Sequence, residues 1–168
     1  MSRVASKTPF MAKRWWIAAC ALVVGALTVS TSGLAAQQAP PPDFLITSRS
    51  SHGFNQTLAT LRQAIEGENL MVVHEINPQQ MLRMVGMRVD GIRQILFFHP
   101  RFMQRIIAAN PNGGIEPPLK LVVMERPDGT VMVRYHDPVH QFAPYAGLEG
   151  VAEELAAIVD RVVGSVGG

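Results

Sequence analysis

The sequence predicts an α+β domain in which an antiparallel sheet is covered by two longer helices on one face. Between residues 46 and 168, β-branched and apolar segments alternate with amphipathic ones in the order β-α-β-β-β-β-α, with small extra elements. A hairpin signal joins the last two strands, because residues 126–129 (Arg-Pro-Asp-Gly) have turn chemistry between residues 119–125 and 131–135. The chain has 168 residues, 48% of them hydrophobic, and can therefore bury a core without metals or disulfides.

The first half of the domain contains three predicted strands and one predicted helix. Residues 46–50 form a short strand, and strands at residues 70–76 and 93–98 follow later, with a helical turn at residues 78–84 between them. The helix ends with Gly67 at its C-cap position. Its apolar stripe consists of Phe54, Leu58, Leu61 and Ile65.

Two further helices are predicted in the second half. The first begins at Pro100, because proline is well tolerated as the first residue of a helix, and residues 110–114 end it. Its predicted buried side consists of Phe102, Met103, Ile106 and Ile107. The second follows the hairpin and has apolar residues at helical spacing, namely Leu148, Val151, Leu155, Ile158 and Val162.

The hairpin turn also predicts the register of its two strands. If Arg126 pairs with Thr130, the residues that point to the core are Leu121 opposite Tyr135 and Val123 opposite Val133. The other face presents Lys120 opposite His136, Val122 opposite Arg134, and Met124 opposite Met132. That face mixes methionine and valine with cations. It suits either a partly exposed sheet face or a surface for a partner or a second subunit.

Residues 1–36 have the pattern of a secretory signal peptide. A basic start ends at Lys13 and Arg14, an apolar run covers residues 15–29, and small residues follow. Cleavage after Ala35 or Ala36 would leave residues 37–45 as a Pro-rich linker before the domain at residues 46–168. The protein would then be periplasmic or secreted. The alternative is that the leader stays uncleaved as an N-terminal membrane anchor, and the protein would then contact a membrane through this segment.

The one cysteine of the chain, Cys20, lies in this leader. Residues 17–20 share features with a lipoprotein processing box, but the five residues between Arg14 and Cys20 are fewer than the roughly 7–15 of a signal core. We therefore interpret Cys20 as a small apolar residue of the leader. The rest of the chain has no cysteine, which excludes disulfides, thiol catalysis and thiolate metal sites there.

The basic character of the chain comes from its leader. Residues 1–36 contain four of the 15 basic residues and none of the 13 acidic ones, so the remaining chain carries a net charge of −2. Nucleic-acid binding needs lysines and arginines clustered on the folded domain. The domain has a single lysine, Lys120, and scattered arginines. We therefore do not expect a nucleic-acid partner.

Histidine and methionine side chains suggest a metal-binding site. His136 and His140 flank Asp137, and His99 follows another strand, so the three imidazoles would bind copper or zinc if the strand ends lie together. The competing interpretation is that each histidine satisfies a local hydrogen bond. Soft thioether ligands for copper would come from methionines such as Met124 and Met132.

A small apolar or anionic ligand is the leading alternative to a metal. Arg101 and Arg105 lie near the start of the second helix, where backbone N–H groups favour anions, although a solvated basic face has the same pattern. A groove between sheet and helices would be lined by residues such as Phe97 and Met84. The methionine run at Met81, Met84 and Met87 predicts either adaptable packing or a pocket lining.

Sequence motifs for catalysis are missing from the chain. It contains no Gly-x-Ser-x-Gly, no His-Glu-x-x-His, no phosphate-binding glycine loop and no dinucleotide fingerprint. We therefore expect an exported ligand-binding or accessory module rather than an enzyme, with a His/Met metal-binding protein as the alternative.

Residues 47–163 resemble the domain of unknown function 302 (DUF302) family. The resemblance rests on the order and spacing of short segments: the helix at residues 54–65, residues 75–77 (Glu-Ile-Asn), 95–100 (Ile-Leu-Phe-Phe-His-Pro), 117–120, 128–129 and 135–138. It implies a curved antiparallel sheet that grips helices (β-α-β4-α, helix-grip-like) and self-association as a homodimer, and it implies no activity or cofactor. His99 and His136 stand where family members often have asparagine, which caps helices and turns well. We interpret both as tolerated substitutions.

Overall fold

A computed structural model describes residues 43–167 of the chain. The predicted leader, Cys20 and most of the predicted linker therefore lie outside the described residues. The strands and helices, in chain order, are β1 Leu45–Ser50, α1 Phe54–Gly67, β2 Met71–Ile76, α2 Pro78–Met84, β3 Ile92–Phe98, α3 Pro100–Ala109, β4 Leu119–Glu125, β5 Val131–His136, α4 Pro138–Phe142 and α5 Glu149–Gly164.

The five strands form one sheet in the order β1-β5-β4-β3-β2, and every neighbouring pair is antiparallel. The predicted α+β class and strand count are confirmed. Helices α1 and α5 bury their apolar stripes against one face of this sheet, where Leu61 and Leu155 lie among the fully buried residues. Within residues 43–167, no helix is long and apolar enough to span a membrane.

The β4–β5 hairpin has the turn that its sequence predicts. The N–H of Arg126 donates to the carbonyl of Thr130 at 2.8 Å, and Gly129 adopts a φ of 79°. Glycine is favoured there because it has no Cβ to clash in the left-handed region. The register is confirmed for Val123 with Val133 and for its two neighbouring pairs, Val122–Arg134 and Met124–Met132.

Three local predictions are corrected by the structure. Gly67 is the last residue of α1 rather than its cap, and the residue in the left-handed conformation is Asn69, with a φ of 54°. Ile107 is 45% exposed, because it lies beyond the edge of the α3 stripe formed by Phe102 and Ile106. Residues 138–142, for which the sequence pattern predicts no element, form the short helix α4, which begins at a proline and is capped by Asp137.

Candidate functional site

The strands β4 and β5 separate at the end of the sheet opposite their turn. Their pairing extends from the turn to Val122 and Arg134 and stops there, although β4 begins three residues earlier and β5 continues to His136. In the separated part, Lys120 pairs with β3 and His136 pairs with β1. The predicted pairs Leu121–Tyr135 and Lys120–His136 are not formed, because the β4–β5 ladder ends before them. Each strand follows its outer neighbour, and a gap opens between them.

Backbone polar groups face this gap. Arg126 and Thr130 form a hydrogen-bonded pair, and such pairs recur at every second position of an antiparallel ladder. Counting back from the turn, Lys120 and His136 would form the next such pair beyond Val122 and Arg134, so their N–H and C=O groups point between the strands. Pro118 and Pro138 flank the strands at this end and have no N–H with which to extend the ladder.

The gap forms a cleft with a volume of about 190 Å³. Its apolar lining includes Phe97 and Leu121, both fully buried, together with Val159 from α5. Its polar lining includes the exposed Lys120 and His136, so the cleft reaches from the core to the surface. The remaining lining residues are Leu96, Glu116, Pro118, Leu119, Tyr135, Pro138 and Gln141.

Tyr135 is the most buried of the polar residues that line the cleft. It is only 6% exposed, and its hydroxyl donates to the carboxylate of Asp160 on α5 at 3.2 Å. Burial first, and then the negative charge of Asp160, raise the pKa of Tyr135 to about 12. The phenol is therefore a neutral hydroxyl at physiological pH, and it ties β5 to α5 beside the cleft.

The rim of the cleft is fixed by hydrogen bonds to Glu116. Its carboxylate accepts from the hydroxyl of Tyr145 at 2.6 Å, and its backbone carbonyl accepts from the Nε2 of Gln141 at 3.2 Å. The hydrogen bond to Glu116 raises the pKa of Tyr145 above its ordinary value. Glu116 is thus engaged by a neutral phenol. Within residues 43–167, Lys120 takes part in no salt bridge.

A second hollow, of about 160 Å³, adjoins the cleft on the sheet face that α1 and α5 leave uncovered. It shares Lys120, Tyr135 and His136 with the cleft and adds the cation Arg134. Its apolar lining is Leu45, Val122 and Met124. The register places one further cation, Arg49, and one further imidazole, that of His74, on this open face, and none of its residues is acidic. Apolar surface beside positive charge is complementary to an organic anion.

The three predicted metal-binding histidines have separate local contacts. The Nδ1 of His99 accepts from the N–H of Arg101 at 3.1 Å and caps α3, as the interpretation of a tolerated substitution predicts. The Nδ1 of His140 lies 2.9 Å from the Asp137 carboxylate, and the ring of His136 packs edge-on against Phe44. Across residues 43–167, no three His, Cys, Asp or Glu side chains are grouped closely enough to hold a metal.

The predicted anion-binding arginines contact groups of the protein itself. Arg105 forms a salt bridge with Glu154, and Arg101 donates to the backbone carbonyl of Glu68 at 3.4 Å. Both guanidinium groups also lie over the ring of Phe102, at 4.8 Å for Arg101 and 5.5 Å for Arg105. These contacts fix the arginines on the surface of α3.

The two residues predicted to line one groove lie in different environments. Phe97 is fully buried and lines the cleft, whereas Met84 is 82% exposed on α2. The cleft is instead lined by residues that the sequence did not single out as a site, chiefly Lys120 and Tyr135. One signal was available, since Lys120 is the only lysine outside the predicted leader.

Comparison with known proteins identifies the family of this chain. The model of the family described as "Domain of unknown function DUF302" matches residues 46–166. The chain belongs to the DUF302 family. A crystal structure of an uncharacterized conserved DUF302 protein from Bacillus stearothermophilus is similar, with a TM-score of 0.69 and 20% identity over 74% of this chain and 99% of that chain. At that identity the likeness shows the fold alone. No curated protein matches this DUF302 chain.

Proposed function

We propose that this protein is an exported binding module whose cleft between β4 and β5 holds a small organic anion with an apolar body. The observation that carries the proposal is the separation of the two strands, which opens a cleft with both apolar and polar walls beside Lys120. Small-ligand sites combine apolar surface with polar groups that orient the ligand. This cleft has both components.

The size of the cleft limits the ligand to about one substituted ring or a short chain. A buried cavity of about 150 Å³ lined by apolar side chains is large enough to hold benzene. The 190 Å³ here leaves room for one additional polar group. Phe97 and Val159 would contact the apolar body, and the cleft's exposed end would receive the charged group.

Lys120 is the principal partner of the anionic group in this proposal. Its ammonium is exposed at the mouth of the cleft and has no salt-bridge partner within the described chain. Arg134 lines the adjoining hollow, and His136 lines both the cleft and the hollow. Hydrogen bonds to charged groups contribute about 1.5–3 kcal/mol, so loss of Lys120 would weaken binding about tenfold or more.

Calorimetric titration with benzoate, a one-ring carboxylate, tests this assignment. The protein is purified from cells that express the full-length chain, and Lys120→Met is compared with Arg126→Met. The control removes an exposed cation at the hairpin turn, at the other end of β4. We expect Lys120→Met to lose benzoate affinity at least about tenfold and Arg126→Met to keep it, because only the former cation lines the cleft.

Two outcomes of the titration would contradict the proposal. Equal affinity in the two variants would place the anion elsewhere on the protein. Benzoate that binds no better than uncharged benzyl alcohol would remove the role of the cation. A Leu121→Trp variant gives an independent check, because an indole in the cleft should block benzoate even where the Lys120 charge remains.

Native mass spectrometry of the same protein tests the remaining proposals. We propose export on the leader pattern, and self-association on the family resemblance. The mass of a chain that begins at residue 36 or 37 supports cleavage of the leader, and the mass of the full-length chain supports the membrane anchor. A dimer peak at low micromolar concentration supports self-association, and a retained organic mass identifies the class of the ligand directly.

A further inference from the structure

Three methionines face solvent on α2 and the segment that follows it. Met81, Met84 and Met87 are 59%, 82% and 54% exposed. They therefore neither fill the core nor line the cleft between β4 and β5, although Met87 lines a separate surface hollow. Methionine is among the side chains most often buried, so three exposed ones at a regular spacing of three residues need an explanation.

The backbone brings the three methionines to one end of α2. Met81 and Met84 lie three residues apart on this helix and so occupy neighbouring positions on its surface. The helix then ends in a reversal at Gly86, which adopts a φ of 82°. The N–H of Met87 donates back to the carbonyl of Leu82 at 2.9 Å.

This reversal is a Schellman motif, and it fixes where Met87 lies. The N–H of Gly86 donates to the carbonyl of Arg83 at 3.1 Å, which completes the pair of hydrogen bonds that defines the motif. The residue at the position of Met87 commonly packs against the residues at the positions of Leu82 and Met81. A hydrogen bond from the Nε2 of Gln79 to the carbonyl of Val89, at 3.2 Å, closes the segment on itself.

The charges of this segment select the kind of ion that it would bind. Residues 76–89 contain no acidic side chain and two cations, Arg83 and Arg88. Hard divalent ions require oxygen ligands that carry negative charge, and the two guanidinium groups repel them. Thioethers are soft and neutral, and they select Cu(I). A monovalent soft ion also experiences half the repulsion of a divalent one.

We propose that Met81, Met84 and Met87 bind one Cu(I) ion through their three thioether sulfurs. The geometry points to this site because a helix turn and a Schellman reversal place the three side chains at the same exposed end of α2. The ion is bound without change of oxidation state. This site is independent of the cleft between β4 and β5, since the two share no residues.

Methyl-¹³C-methionine NMR with Ag(I), a redox-inert analogue of Cu(I), tests the proposal. The protein carries Cys20→Ser, which removes the one thiol of the chain. We expect the methyl signals of Met81, Met84 and Met87 to shift together and to saturate at one Ag(I) per chain. Those of Met124 and Met132 on the open sheet face should not shift. Zn²⁺ should shift none of them.

Leucine substitutions separate metal binding from an apolar docking role. Leucine keeps the apolar surface and removes the sulfur. The triple variant Met81→Leu/Met84→Leu/Met87→Leu should therefore bind Ag(I) more than about tenfold less tightly than the parent. Removing only a residue that orients a metal ligand already weakens metal binding by about tenfold or more. The matched control is Met124→Leu/Met132→Leu. Met84→Leu alone should also weaken binding, and it cannot unfold a protein in which Met84 is 82% exposed.

Three results would overturn the proposal. The first is an unchanged Ag(I) affinity in the triple variant. The second is an affinity loss in the control variant that is as large as the loss in the triple variant. The third is a methyl shift of Met124 or Met132 in the parent protein that is as large as the shift of Met84. Cu(I) competition with a colorimetric chelator should reproduce the Ag(I) stoichiometry.

Discussion

We predict that the phenol of Tyr135 titrates near pH 12 in the folded protein. Its pKa is raised from 10.0 to about 12, chiefly because the side chain is buried and secondly because the Asp160 carboxylate faces it. The unfolded chain titrates at the ordinary value and the folded chain above it. The stabilising effect is therefore complete below about pH 10 and is lost as the pH rises from 10 to 12.

The size of the effect follows from the shift. Two pKa units correspond to about 2.7 kcal/mol, an upper bound for a phenol that is 6% exposed. About half of this, roughly 1.4 kcal/mol, is lost at a pH of about 11, midway between the two pKa values. The free energy of unfolding in urea is measured at a pH of about 9 and of about 11. Between these two values the wild type should lose about 1.4 kcal/mol more than Tyr135→Phe, which retains all other titrating groups.

The chain has two tyrosines, so the titration can be assigned directly. In Tyr145→Phe, the near-ultraviolet absorbance of tyrosinate reports Tyr135 alone. In Asp160→Asn, the pKa of Tyr135 should fall but stay above its ordinary value, because burial is the larger cause. A phenol that titrates near pH 10 in folded Tyr145→Phe, with the circular dichroism unchanged, would refute the described burial of Tyr135.

Two further predictions concern stability. His99→Ala should cost about 1 kcal/mol in urea unfolding because α3 loses its cap, whereas His99→Asn should keep the stability; equal losses would contradict the capping role. Gly113→Ala should destabilise by about 1–3 kcal/mol, because its Cβ would clash with the Cδ1 of the fully buried Leu148. The control is Gly150→Ala on α5, where no described atom lies within 4 Å of the added Cβ. It should stabilise the protein by up to about 1 kcal/mol. A destabilisation as large as that of Gly113→Ala would be inconsistent with this packing.

Local patterns in the sequence were enough to predict most of the fold. The helices α1 and α5 are amphipathic over three turns or more, so their periodicity alone identifies the faces that they bury. The turn at residues 126–129 fixes the hairpin register as far as Val122 and Arg134, because both strands start from the same short loop. Where neighbouring residues decide the conformation, the prediction is confirmed.

The exposure of the methionines and the placement of the histidines depended on the tertiary structure. A methionine at helical spacing has the same pattern whether the face of α2 is covered or open, and the structure leaves Met84 exposed. His99 follows β3, His136 ends β5 and His140 lies in α4 just beyond it, yet each ring contacts a local partner. Sequence spacing carries no information about the direction of a ring.

The candidate cleft is the feature that the sequence could least predict. Counting from the hairpin turn pairs Lys120 with His136, but the β4–β5 ladder ends at Val122 and Arg134, while β4 stays paired with β3 and β5 stays paired with β1. These outer pairings join residues that are far apart in the chain, and no local pattern encodes where they carry the two strands apart. The sequence by itself determined which segments are strands and helices and which faces they bury. The tertiary structure alone decided where two neighbouring strands separate, because that depends on the sum of non-local hydrogen bonds across the whole sheet.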